Sequence, residues 1–91
     1  MARASRVNPK ARSFLESLSP EECDRLFDCW ELLLRNPPID NVSIFNFSIP
    51  PLVLRLQHCG GFDTLYKFDE KNDQLVIFAA GREGAGHGLR P

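Results

Sequence analysis

Between residues 52 and 82, apolar and polar positions alternate with the period of two that marks half-buried strands. Leu52, Leu54 and Leu56 alternate with Val53, Arg55 and Gln57, and Phe62, Thr64, Tyr66 and Phe68 alternate with Asp63, Leu65 and Lys67. A third apolar run, residues 74–80, follows the polar turn Glu70-Lys71-Asn72-Asp73. The pattern predicts three strands in an antiparallel meander.

Upstream, the period lengthens to that of helices. Asn8 caps and Pro9 needs no N–H donor, so a helix starts there and carries Ala11, Phe14, Leu15 and Leu18 on one face. Ser19-Pro20-Glu21-Glu22 opens a second helix with capping-box spacing. Cys23, Leu26, Phe27, Trp30, Leu33 and Leu34 then recur at helical spacing until Asn36-Pro37-Pro38 stops the run. Two helices joined this closely form an antiparallel hairpin whose apolar stripe needs the sheet, with Trp30 as a core anchor. Residues 5–8 could add a short edge strand. Residues 42–49 have strand composition but mixed parity ahead of Pro50-Pro51, which suits an edge strand or a loop over the sheet rim; exposed, they would mark a partner site. The expected fold class is α+β, an N-terminal helical hairpin packed on one face of a small antiparallel sheet. It forms a single domain over residues 1–83, followed by a mobile Gly-rich tail at 84–91.

Register follows from asking which pairing buries one face. A two-residue Gly60-Gly61 turn sets His58 opposite Asp63 and Leu54 opposite Lys67, mixing apolar and charged groups. A three-residue loop, Cys59-Gly60-Gly61, pairs His58 with Phe62, Leu56 with Thr64 and Leu54 with Tyr66, and a single buried face selects this second register. The next turn sets Phe68 by Leu75, Tyr66 by Ile77 and Thr64 by Ala79. The opposite, open face then gathers Arg55, Gln57, Asp63, Lys67 and Arg82, with Val53, Leu65, Val76 and Phe78 between them.

Composition adds limits. With 91 residues, 43% of them hydrophobic, the chain can build one modest core, which excludes global disorder. No apolar run is long enough to span a membrane and the first ten residues lack an apolar signal core, so a cytoplasmic protein is expected. Three cysteines, odd in number and without a CxxC pair, predict no metal, no cofactor and no structural disulfide. A net charge of −1 argues against nucleic-acid binding by bulk charge alone. Charge is nonetheless segregated: Arg3, Arg6, Lys10 and Arg12 precede a helical region carrying Glu16, Glu21, Glu22, Asp24, Asp28 and Glu31 against Arg25.

The order of elements, together with ARSFLESL, the helix ending LRNPP and the stretch PPLVLRLQHCGGFDTLYKFDEKNDQLVIFAAGRE, resembles the RelE/ParE toxin superfamily over about residues 9–83. The resemblance implies a small α+β toxin domain neutralised by a cognate antitoxin protein. In one branch it is a ribosome-dependent mRNA endoribonuclease; in another it binds DNA gyrase without cutting. Arg55 falls where the ribonucleases place a basic residue on the first meander strand, and Arg82 matches a basic phosphate-binding position. Val53 and Asp63 stand where those enzymes often carry Lys and Arg, and His87 is the titratable group nearest their C-terminal aromatic position.

Metal-free RNA cleavage needs a base for the 2′-OH, cations for the phosphorane and an acid for the 5′-oxygen. Arg55 and Arg82 can hold phosphate but stay protonated, which leaves Asp63, His58 and His87 for proton transfer. The catalytic candidates are Arg55, Arg82, His87 and Asp63, with Arg55, Gln57, Lys67 and Arg82 as RNA contacts. Asp63 could instead form a structural pair with Arg55 or Lys67. His58, sharing the parity of Leu54 and Leu56, is expected as a half-buried strand-end residue. The readings left open are an endoribonuclease using the ribosome and mRNA, a non-catalytic binder of a protein target such as DNA gyrase, and an inactive remnant.

Overall fold

The computed structural model describes residues 4–35, 43–46, 53–84 and 89. His87, Arg3, Leu52, the Asn36-Pro37-Pro38 stop and most of the segments at 42–49 and 84–91 lie outside the described residues. The elements in order are β1 (Ala4–Val7), α1 (Pro9–Glu16), α2 (Pro20–Arg35), β2 (Ser43–Asn46), β3 (Val53–Cys59), β4 (Phe62–Asp69) and β5 (Gln74–Arg82). Residues 43–46 thus form the edge strand that was one of the two expectations for the 42–49 segment.

Both helices start where their caps dictate. Asn8 accepts a hydrogen bond from the Lys10 N–H (3.3 Å) with Pro9 in the first turn. Ser19 and Glu22 exchange reciprocal bonds, each 3.2 Å, as a capping box requires. The helices lie on one face of a five-stranded sheet of order β1-β5-β4-β3-β2. Four strands are antiparallel to their neighbours, as expected, but β1 runs parallel to β5 at the edge. β1 leads straight into α1, and the Asn8 N–H still bonds the Ile77 carbonyl (2.9 Å), so its direction follows that of β5.

Between helices and sheet, Ala11, Leu26, Trp30 and Leu33 pack on Phe62, Tyr66, Leu75, Ile77 and Ala80. Trp30 is the anchor expected of it: buried, its indole N–H donates to the Thr64 hydroxyl at 3.1 Å. The buried stripe of α2 is rotated from the predicted one. Cys29 is inside while Phe27 is 48% exposed.

The inward side of α2 carries a Cys29–Cys59 disulfide with Cα atoms 5.9 Å apart. It corrects the expectation of no structural disulfide. Cysteine count carries no information on which face Cys59 occupies; the sheet register sets it over α2. Closing a loop of 30 residues removes unfolded-chain entropy worth about 3–4 kcal/mol.

The β3–β4 register is the one that single-face burial rejects. His58 pairs with Asp63, Cys59 with Phe62, Gln57 with Thr64 and Arg55 with Tyr66 across a two-residue turn. Gly60 and Gly61 have φ of 64° and 86°, the two successive positive values that a tight hairpin turn of this hand needs. The reason the expectation fails is that both faces are buried. Opposite the helices, Leu54, Leu56, Leu65 and Ala79 form a second cluster, with Phe78 and Leu89 packed against it. The β4–β5 pairs Phe68–Leu75 and Tyr66–Ile77 are as predicted, but a bulge between Leu65 and Tyr66 sets Thr64 against Ala80 rather than Ala79.

Two stability outcomes follow. Thr64→Val leaves the buried indole N–H without its acceptor and should cost about 1–3 kcal/mol in urea denaturation; an unchanged midpoint would show that the bond contributes nothing. Gly61→Ala strains φ alone, about 1–2 kcal/mol, whereas a Cβ on Gly60 also meets the Cys29 sulfur at 3.0 Å. Gly60→Ala should therefore be the more damaging, and equal losses would contradict the tight seating of the turn on α2.

Candidate functional site

Residues directly opposite across antiparallel strands share a face, so the observed register divides the expected site. Cys59, Gln57 and Arg55 lie on the helix-facing side with Phe62, Thr64 and Tyr66, and Arg82, paired with Phe62, joins them. His58, Asp63, Leu65 and Lys67 lie on the opposite side. The five polar residues assigned to one open face are thus split, Arg55, Gln57 and Arg82 on one side and Asp63 and Lys67 on the other.

On the helix side, Arg82 is held by α2: its guanidinium donates to Glu22 at 2.6 Å. That contact, aided by the Ser19 N–H, lowers the Glu22 carboxyl from 4.5 to about 2. Arg55 lies half-buried near Tyr66, whose hydroxyl is pushed up by burial, an effect that the nearby Arg55 charge opposes. The Tyr66 hydroxyl and the Gln57 carbonyl oxygen are buried without hydrogen-bond partners among the described residues.

On the other side, the two-residue turn brings His58 and Asp63 together. Asp63 is fully buried, its Oδ1 bonded to His58 Nδ1 and its Oδ2 accepting the Gly84 N–H at 3.1 Å. Carboxylate oxygens only accept, so Nδ1 is the donor in this contact, which leaves Nε2 outside it. The His58 side chain is 56% exposed above its buried partner. Gly84 reaches Asp63 because Glu83 N–H bonds the Gly61 carbonyl (2.9 Å), folding the end of β5 against the hairpin turn. An imidazole oriented by a buried carboxylate has the geometry that general acid–base chemistry requires. The expected Asp63 partners, Arg55 and Lys67, are replaced by His58, which parity had placed on the core side. The signal that could have found it was the Gly60-Gly61 pair, the strongest local marker of a two-residue hairpin.

Further along β4, Lys67 lies over the ring of Phe78, 5.7 Å from its centroid. Lys67 and Phe78 also line a cleft of about 270 Å³ that Arg6 of β1 completes. Among the described residues, no three His, Cys, Asp or Glu side chains gather as a metal site would, and no helix is long and apolar enough to cross a membrane.

No protein-family model and no curated protein sequence matches the chain. Solved structures do. A chain of the archaeal RelE–RelB complex from Pyrococcus horikoshii OT3 has a TM-score of 0.68 at 17% identity, over 92% of this chain and 98% of that one. A chain of the toxin–antitoxin complex RelBE2 from Mycobacterium tuberculosis gives 0.71 at 17%, over 91% and 100%. The isolated E. coli RelE toxin gives 0.69 at 12%, over 89% and 84%. The chain has the RelE toxin fold, α+β with its helices on one side of the sheet, as the sequence resemblance implies.

The Glu22–Arg82 pair sets an acid limit. Because the folded-state pKa of Glu22 is depressed from 4.5 to about 2, its contribution to stability is complete above the unfolded value and is lost as pH falls through that interval. Thermal midpoints of the wild type should drop between those pH values more steeply than those of Glu22→Gln. Parallel pH curves for the two proteins would show that the pair does not form.

Proposed function

We propose that this chain is the toxin component of a toxin–antitoxin system, a ribosome-dependent mRNA endoribonuclease in which His58 transfers the proton. The observation that carries the reading is the His58–Asp63 pair on a RelE fold: a buried carboxylate fixing a half-exposed imidazole on the sheet face away from the helices.

In this mechanism His58 Nε2 removes the proton of a ribose 2′-OH. The 2′-oxygen attacks the adjacent phosphorus, a 2′,3′-cyclic phosphate forms and the bond to the 5′-oxygen breaks. Water protonates that oxygen, and the imidazolium releases its proton to solvent. Asp63 acts as a positioning residue, holding the tautomer and stabilising the imidazolium. Lys67 supplies positive charge for phosphate on the same face. Arg55 and Arg82, proposed from sequence as phosphate ligands, lie on the other side of the sheet. A cognate antitoxin is the expected protein partner, in keeping with RelE structures solved as complexes with RelB. The second reading, a binder of a protein target such as DNA gyrase, is favoured by Phe27 and Leu32, exposed at 48% and 52% on the outer side of α2.

Brief induction in cells followed by mapping of mRNA 5′ ends separates the two. Cleavage ends within translated codons are expected, reduced about 10²-fold or more in His58→Ala. Asp63→Asn should weaken cleavage, while Arg55→Ala/Arg82→Ala should cleave better than His58→Ala. Growth arrest with intact mRNA would reject the nuclease mechanism and favour the protein-target reading; cleavage undiminished in His58→Ala would remove His58 from it.

A further inference from the structure

The cleft at the far end of the His58 face is a second feature that the proton-transfer chemistry does not use. Its floor is a row of register partners: Arg6 pairs with Val76 across β1 and β5, and Val76 pairs with Lys67 across β5 and β4. Strands lie 4.7–4.9 Å apart, so the two cationic residues flank Val76 at a Cα separation of about 10 Å. Both long side chains can then converge on one group above it.

Among the described residues the cleft sets two cations against one carboxylate, Asp69, which lies within the electrostatic reach of Lys67. Neither Arg6 nor Lys67 forms an ion pair among the described residues. The one carboxylate on the rim, Asp69, is turned into the β4–β5 turn, where it accepts from the Asn72 N–H (3.3 Å) and the Asn72 side-chain amide (2.8 Å). The Phe78 ring carries the Lys67 ammonium at the cleft wall by a cation–π contact. Two cations with an apolar floor and one preoccupied carboxylate favour an anionic ligand. Lys67 and Asp63 are four residues apart on one face of β4, about 13 Å, a distance that a short extended run of single-stranded nucleic acid spans.

We propose that the Arg6–Lys67 cleft is a subsite for the phosphate backbone of single-stranded RNA, holding the strand on one side of the bond presented to His58. The inference deepens the nuclease reading and rests on it for the identity of the ligand. Arg6 and Lys67 act as a phosphate clamp, with no part in proton transfer, and set register along the strand rather than base preference.

The test is fluorescence anisotropy with a labelled, fully 2′-O-methylated oligoribonucleotide, which cannot be cleaved, across a salt series. Wild type is compared with Arg6→Ala/Lys67→Ala and with Arg12→Ala, which removes an exposed cation of α1 outside the cleft. The double variant should bind about tenfold or more weakly, with a log–log salt slope shallower by about 1.4, the value for two lost contacts to a single strand. Arg12→Ala should bind nearly as well as wild type. Weakening of the same size in Arg12→Ala would mean diffuse charge attraction and overturn the proposal, as would wild type that does not bind. Cleavage of translated mRNA in cells is scored separately. Binding that depends on the cleft, with mRNA left intact on induction, supports the subsite and counts against the nuclease reading alone.

Discussion

The β3–β4 hairpin closes through two glycines at positive φ, and a two-residue turn leaves no freedom in how the strands pair. From that constraint the remaining contacts follow. Cys59 is delivered to the helix side, over Cys29, so the turn becomes covalently tied to α2. His58, its neighbour, is delivered to the other side, opposite Asp63. A single further residue in the loop would exchange the two faces of β3 relative to β4, separating both pairs at once. Glu83 and Gly84 then close on the same turn, the first through the Gly61 carbonyl and the second through Asp63. The turn is thus the junction of helix layer, sheet and candidate site.

The sheet has two buried faces although the chain is short. The helices cover one with Trp30 and Leu26. The other carries its own cluster around Leu54, Leu56 and Leu65, against which Leu89 packs. Asp63 lies on the same face as this second apolar cluster and is itself fully buried. A carboxylate there is tolerable only with its oxygens bonded, and His58 and Gly84 do this from two directions. The contact with Asp63 orients the His58 imidazole. The polar pair and the apolar cluster on the same face are parts of one arrangement.

Charge is divided between the two sides in a way that net charge conceals. Acidic side chains gather on α2, where one of them, Glu22, engages Arg82. On the opposite side Arg6 and Lys67 have no such partner among the described residues. A protein of net charge −1 can therefore present a locally cationic surface, since interactions with a ligand are governed by charges within a Debye length rather than by the total.

What the sequence determined by itself was everything that depends on neighbours along the chain. Asn8-Pro9 and Ser19-x-x-Glu22 start the helices because capping is local. Residues 70–73 form the turn because four polar residues there interrupt two alternating runs, and the RelE-like order of elements follows from these. What only the tertiary structure decided was which face of one strand meets which face of the next. A period of two groups Leu54 with Leu56 and Phe62 with Tyr66, but when both sides of a sheet are buried, either alignment of the two groups hides apolar surface. The local twist of a glycine turn, not the hydrophobic pattern, then breaks the tie. The Cys29–Cys59 bridge, the Arg82–Glu22 pair and the His58–Asp63 dyad all join residues whose meeting depends on that choice.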